Sequence, residues 1–306
     1  MAEPRRHGIG ILGLGVMGRE MAASLQRHPR FRVVGAYDPA PAAGAAINVP
    51  RTSSPDRLAE DPDVDCLYIA TPPAHHAAGV KLAARNRKAV LCEKPLAPTR
   101  GEAEAMRDLV ESAALPGAVN FYFAAAEAAV RLRRLAAGGA LGEIRSARLT
   151  LRFKAWPRPW QSAAGGWLSS AAEGGFTREV CSHFLFQAGR MFGPGRCATS
   201  RVARGAAGTE TAIAARIAYR DVTLEIDGAI GGGADDDNRF EVIGTNGRAA
   251  LVDWDRLEYD GPEDGIAAPV VPMLDALADM LDGRPHALAS FAEGAAVVTL
   301  VEAMLA

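Results

Sequence analysis

Cysteine is sparse: Cys66, Cys92, Cys181 and Cys197 are scattered over 306 residues with no CxxC pair. That spacing excludes a disulfide scaffold and the common paired-cysteine zinc and redox motifs. Six histidines do not complete a zinc set, and no metal is expected. Excess charge of one sign is also missing. With 34 basic and 36 acidic side chains the formal net charge is -2, so nothing electrostatic favours nucleic acid or an anionic membrane surface as a partner. No uncharged run is long enough to cross a bilayer, and the first eight residues hold no apolar segment ahead of a cleavage site. The expected location is therefore cytoplasmic. Hydrophobic residues make up 49% and charged residues 23%, a globular balance in a chain long enough for two domains.

What is present begins with Gly8-Ile9-Gly10-Ile11-Leu12-Gly13-Leu14-Gly15-Val16-Met17-Gly18. The apolar run 9–12 reads as a buried parallel strand, and Gly13, Gly15 and Gly18 have the GxGxxG spacing ahead of a helical stretch. Gly13 allows the tight turn, Gly15 lets a pyrophosphate approach the backbone, and Gly18 lets the helix pack closely on the sheet. A second apolar run, 31–37, ends in Asp38, 20 residues beyond Gly18. A carboxylate at that strand end accepts from both ribose hydroxyls and repels a 2′-phosphate, which argues for NAD, with NADP possible if an arginine or serine stands near the same rim. Strands at 64–70 and 89–92 alternate with helices at 74–84 and 98–114, the pattern of a doubly wound parallel sheet. Ligands bind beyond the carboxyl ends of such strands, where Asp38, Thr71 and Glu93-Lys94-Pro95 fall. Lys94 is thus placed to donate to a substrate oxygen; the plainer alternative is a surface lysine in a turn. A strand at 119–123 is expected to finish the first domain.

Beyond it a basic helix at 124–137 and an alternating strand at 144–153 lead into short strands at 211–219, 222–226, 239–243 and 248–252, then helices at 273–281 and 291–305. They read as an open, mostly antiparallel sheet with helices. Asp235-Asp236-Asp237 reads as a solvated hairpin end rather than a hard-metal site. Trp156, Trp160 and Trp167 share one irregular stretch, as a pocket wall or a loop cover. On the helix expected from Phe176 onward, Glu179 and His183 are four apart, which puts carboxylate and imidazole on one face. His183 is either a core histidine satisfied by Glu179 or a general acid/base, since imidazole titrates near neutral pH.

Over nearly its full length the chain resembles the glucose-fructose oxidoreductase, inositol dehydrogenase and rhizopine-catabolism oxidoreductase family. The likeness rests on Gly13 to Gly18, Ala70-Thr71-Pro72-Pro73 with His76, Leu91-Cys92-Glu93-Lys94-Pro95-Leu96, Gly139-Ala140-Leu141-Gly142-Glu143-Ile144, and Trp167 followed by Gly174-Gly175 and the helix bearing His183. The resemblance implies a Rossmann domain at 1–120 and, at 121–306, an α/β domain for substrate binding whose open sheet joins subunits, expected as a homodimer. It implies reversible hydride transfer between a nicotinamide and a hydroxyl or carbonyl carbon of a small-molecule substrate, most often a sugar or polyol. It carries catalytic roles onto Lys94, His183 and Glu179, and cofactor contacts onto Gly13, Gly15, Val16, Met17, Gly18, Asp38, Thr71, Pro72, His76, Glu93 and Lys94. Departures from the family pattern at Glu173, Glu179, Cys181 and Phe186, with Phe123 nearby, point to a less hydroxylated substrate: a deoxy-ketosugar, or a carbonyl or imine compound. The same departures leave open a dinucleotide-binding sensor without turnover.

Overall fold

A computed structural model of the chain describes residues 5–40, 43, 47–261 and 269–306. In chain order, the first elements are β1 (His7–Leu12), α1 (Val16–Arg27), β2 (Phe31–Tyr37), α2 (Pro55–Glu60), β3 (Cys66–Ile69), α3 (His76–Arg85), β4 (Ala89–Cys92), α4 (Arg100–Ser112) and β5 (Gly117–Val119). Next come α5 (Glu127–Ala137), β6 (Ile144–Phe153), α6 (Gly165–Leu168), α7 (Ser182–Phe192), β7 (Arg196–Arg204), β8 (Glu210–Ala218), β9 (Thr223–Ile230), β10 (Asp237–Gly244), β11 (Arg248–Val252) and β12 (Arg256–Tyr259). The chain closes with α8 (Met273–Leu281) and α9 (Phe291–Leu305). It forms two compact units, residues 1–121 with 272–295 and residues 122–271 with 296–306.

The first unit is a five-stranded parallel sheet in the order β2-β1-β3-β4-β5. β1, β3 and β4 are buried at every position, as strands covered on both faces must be. Ile9, Ile11, Cys66, Tyr68 and Leu91 share one core with Met21 and Leu25 of α1 and Ala276, Leu277 and Met280 of α8. On the other face Gly79 of α3 sits so close to Ile69 that a Cβ there would be 2.9 Å from its Cδ1. His7 and Arg30 fasten the end of α8 to this sheet through Asp282, at 2.9 and 2.6 Å. This is the doubly wound architecture expected, with the order reversing at β1 and β3.

The second unit holds a seven-stranded sheet in the order β12-β11-β10-β6-β9-β8-β7, antiparallel except where β6 pairs β9. Its inner positions, among them Leu149, Leu151, Ile213, Leu224 and Phe240, are buried. Its outer face is ionic. Arg216, Glu225, Arg148 and Glu241 stand side by side on β8, β9, β6 and β10, with Arg216 and Arg148 at 2.9 and 3.5 Å from Glu225. The face of the open sheet expected to join subunits therefore presents paired charges rather than an apolar surface.

Two local expectations differ from the structure. The strand expected at 119–123 stops at Val119, and Tyr122–Ala124 form a 3₁₀ turn whose carbonyls at Phe123 and Ala124 accept from Arg133 at 2.7 and 3.1 Å. β7 carries no buried position, so an alternation-based reading has nothing there to detect.

Candidate active site

The glycine turn is built as its spacing requires. Gly13 has φ +95°, and a Cβ on it would lie 2.6 Å from Ala70 O; one on Gly18 would collide with Gly13 O. Gly15 faces open space, with nothing within 4 Å of a Cβ position. It is also the N-cap of α1, which has no side-chain cap and no acidic residue in its first turn. The N–H groups there point outward without a competing carboxylate, a site fit for a pyrophosphate. Val16 is half-buried and Met17 exposed beside it. Asp38, half-buried, accepts Leu14 N–H on Oδ2 at 2.8 Å and Ala40 N–H on Oδ1 at 2.9 Å. Two of its roughly four acceptor positions are thereby used and the rest stay available for ribose hydroxyls. Arg51, which the sequence reading did not connect with this rim, donates to the carbonyls of Asp38 at 3.0 Å, Ala40 at 3.3 Å and Ala43.

The ends of β3, β4 and β5 meet in a second group. Glu93, 4% exposed, accepts on Oε1 from Tyr68 OH at 2.5 Å and from Asn120 Nδ2 at 2.6 Å. Burial, then the Glu93 charge, push the Tyr68 hydroxyl well above its ordinary value, so it stays a donor. Burial followed by Glu93 does the same to the Cys92 thiol, while burial lifts Cys66 to about 12; neither is a nucleophile. Lys94 follows directly, its own N–H 3.4 Å from Glu93 Oε2, so the clamp on Glu93 sets where the lysine leaves the sheet. His76 is 1% exposed, with Nε2 at 2.8 Å from Thr71 O and Nδ1 at 3.1 Å from Leu96 O. It joins the loop after β3 to the loop after β4. Pro72 precedes the 3₁₀ turn Pro73–His75. Thr71 Oγ1 is buried without a hydrogen-bond partner among the described residues, a polar group that a bound ligand would satisfy.

In the second unit Glu179 lies in a π-helical turn, Thr177–Cys181, that runs into α7. Ser182 N–H reaches back to Thr177 O, five residues earlier. Such widened turns recur at functional sites, and this one resets the simple one-turn relation of Glu179 to His183 on α7. Glu210, 1% exposed, accepts Thr177 N–H at 2.6 Å and anchors the start of the turn. Glu179 Oε1 accepts from Gln161 at 3.2 Å, and Gln161 Oε1 accepts from Arg158 Nε at 3.0 Å. Arg158 is 5% exposed, lies 5.7 and 4.8 Å from the Trp156 and Trp160 rings, and pairs with Asp236. Two tryptophans of this stretch therefore flank a buried guanidinium, Trp160 from the solvent side at 53% exposure.

Asp235 and Asp237 are exposed, as a solvated hairpin end requires, but Asp236 departs from that reading. Besides Arg158 it accepts from Trp254 Nε1 at 3.0 Å and Asn238 Nδ2 at 2.9 Å. Trp254 was missed by the sequence reading. It stands edge-on to His183, centroids 5.1 Å apart at 87°, and Phe123 meets the same imidazole at 5.8 Å. Phe186, by contrast, is 2% exposed under Arg190, 4.5 Å from its ring, so its departure from the family pattern is a packing change. Neither Trp254 nor Asp236 has a local sequence signal beyond residue type.

Residues 7–121 match the family model described as "Oxidoreductase family, NAD-binding Rossmann fold", and residues 129–250 match the GFO/IDH/MocA C-terminal domain. Levoglucosan dehydrogenase of Pseudarthrobacter phenanthrenivorans is 28% identical over 198 residues, 60% of this chain and 51% of that protein. Human trans-1,2-dihydrobenzene-1,2-diol dehydrogenase is 36% identical over 149 residues, 45% of this chain and 44% of that protein. The chain spans about half, or less, of the length of the curated relatives it matches. Among solved structures, levoglucosan dehydrogenase in complex with NADH and levoglucosan has a TM-score of 0.80 at 21% identity, covering 98% of this chain and 96% of that one. GenD2 from gentamicin A biosynthesis in complex with NAD has a TM-score of 0.82 at 23% identity, covering 99% and 94%. Both share the fold. With both of its halves matched, the chain belongs to the GFO/IDH/MocA family of oxidoreductases and carries its NAD-binding Rossmann fold.

Proposed function

We propose that the protein transfers a hydride between NAD(H) and a hydroxyl-bearing or carbonyl carbon of a small sugar, deoxy-ketosugar or polyol. The observation that carries this reading is the uncapped N-terminus of α1 with open space at Gly15 and the Asp38 carboxylate held at the end of β2. Gly13, Gly15, Val16, Met17 and Gly18 would hold the pyrophosphate, Asp38 the adenosine ribose, and Thr71, Pro72, Glu93 and Lys94 the strand-end side, with His76 acting through the loops it joins. A bound nicotinamide supplies the hydride donor or acceptor. His183 takes the proton from a substrate hydroxyl during oxidation and returns it during reduction. Lys94 stabilises developing charge on a substrate oxygen. Glu179, held by Gln161, orients the imidazole or a substrate hydroxyl.

Relatives named for levoglucosan and for a dihydrobenzene diol, together with the partly exposed Trp254 beside His183, favour a cyclic substrate with an apolar face. Asp38 supports NAD; Arg51 at its backbone is the cation through which NADP would be admitted. Self-association through the outer face of the second sheet belongs to the same reading. Alternating arginines and carboxylates can pair with a two-fold-related copy of themselves. Fluorescence titration with NADH and NADPH, then a screen of sugars, ketosugars, cyclic diols, small ketones and imines, tests the proposal. Tighter binding of NADPH overturns the role of Asp38, and binding of neither removes the basis of the reading.

A further inference from the structure

We propose that Trp254 is a positioning residue for His183, held in a strained backbone conformation by contacts that converge on one turn. The inference rests on the reading of His183 as the proton carrier. Asp253 and Trp254, between β11 and β12, have φ +47° and +73°, the left-handed region where a bulky side chain is a genuine outlier. Such a conformation persists only when its surroundings over-determine it, and it is found preferentially at functional sites. Here each residue of the turn is tied separately. Asp253 N–H donates to Asn238 O at 3.0 Å, Asp255 accepts from Tyr122 OH, and the Trp254 indole N–H donates to Asp236 at 3.0 Å.

Asp236 is itself fixed by the buried Arg158, which also bonds Gln161, the partner of Glu179. One chain of polar contacts therefore runs from Glu179 through Gln161, Arg158 and Asp236 to the indole that abuts His183. On its other sides the indole packs at 5.5 Å from Phe123 and 5.7 Å from Phe184, so it has little freedom to rotate. A partly exposed ring so fixed sets the tilt of the imidazole against it. A misplacement of about 1 Å in a proton carrier is enough to cost on the order of 10²-fold in rate.

The test uses the full chain labelled with ¹⁵N, and the NADH-dependent reaction of whichever substrate the screen identifies. The four indole N–H signals are assigned by Trp→Phe variants, and His183→Gln is expected to move the Trp254 signal more than the other three. Trp254→Ala is expected to lower kcat roughly 10²-fold with little change in substrate KM, and Trp254→Phe, which keeps a ring but loses the N–H, to recover part of that loss. A merely structural role would lower the thermal midpoint while leaving kcat per folded site unchanged. An unmoved Trp254 signal, or full kcat in folded Trp254→Ala, overturns the proposal. Full activity in His183→Gln overturns the proton role of His183, and with it the catalytic half of this inference; the indole signal then still reports on the contact alone.

Discussion

The carboxylate of Glu210 lies so close to Gly175 that a Cβ there would collide with it, and Gly175 itself has φ +94°. The glycine is needed twice over, for its conformation and for the approach of the buried Glu210 side chain to the first turn of the segment bearing Glu179 and His183. Glu210→Ala leaves Thr177 N–H without this partner and is expected to cost about 1–3 kcal/mol, read from the denaturant midpoint. Glu210→Gln retains an acceptor and should fall between the two.

Gly15 and Gly18 separate binding from folding. Gly15→Ala adds a methyl into open space, so the thermal midpoint should hold while NADH affinity falls. Gly18→Ala drives a methyl into Gly13 O and should lower the midpoint itself. Equal loss of stability in both would contradict the assignment of Gly15 to the cofactor.

Lys94→Ala and His183→Ala are each expected to lower kcat by roughly 10²-fold or more, the range of positioned acid/base groups, with NADH affinity little changed. Steady-state kinetics together with a direct cofactor titration decide this. A variant that loses cofactor binding instead would reassign the residue to the dinucleotide.

Asp282 gives the first unit an acid-sensitive fastening. Burial would raise its carboxyl, but the Arg30 hydrogen bond and the charges of Arg30, His7 and Arg284 outweigh that, and it sits below the usual aspartate value. A carboxyl depressed by folding contributes stability that is complete above its unfolded value, about 3.9, and is lost as pH falls through the lower folded value. Thermal midpoints of wild type and Asp282→Asn should differ most near neutral pH and converge in acid. A gap that widened in acid would show the opposite linkage.

Self-association through the ionic outer face of the second sheet, as proposed, is expected to be salt-sensitive. Exposed ion pairs are individually weak and screened within about 8 Å at physiological ionic strength, so sedimentation should show a dimer that loosens as salt is raised. A mass near 32.1 kDa at every concentration and salt would remove the dimer.

The glycine turn and the strand ends were legible because their requirements are local. Gly13, Gly15 and Gly18 are spaced by one turn, Asp38 ends an apolar run, and Glu93-Lys94 ends another. Tyr68 and Asn120 were not legible as partners of Glu93, since β3, β4 and β5 bring together residues 25 and 27 positions away from it. The π turn at Thr177–Cys181 also escaped, because a sequence periodicity of 3.6 cannot register one widened turn.

The sequence by itself determined the alternation of strand and helix, the nucleotide-binding turn and the residue types able to move a proton, because each is a matter of hydrophobic period, backbone freedom or intrinsic acidity. Tertiary structure alone decided that residues 272–295 join the first unit, that Asp236 binds a buried arginine, and that Trp254 abuts His183. Those relations join residues 71 to 78 positions apart or more, through strand pairings whose order no local pattern contains.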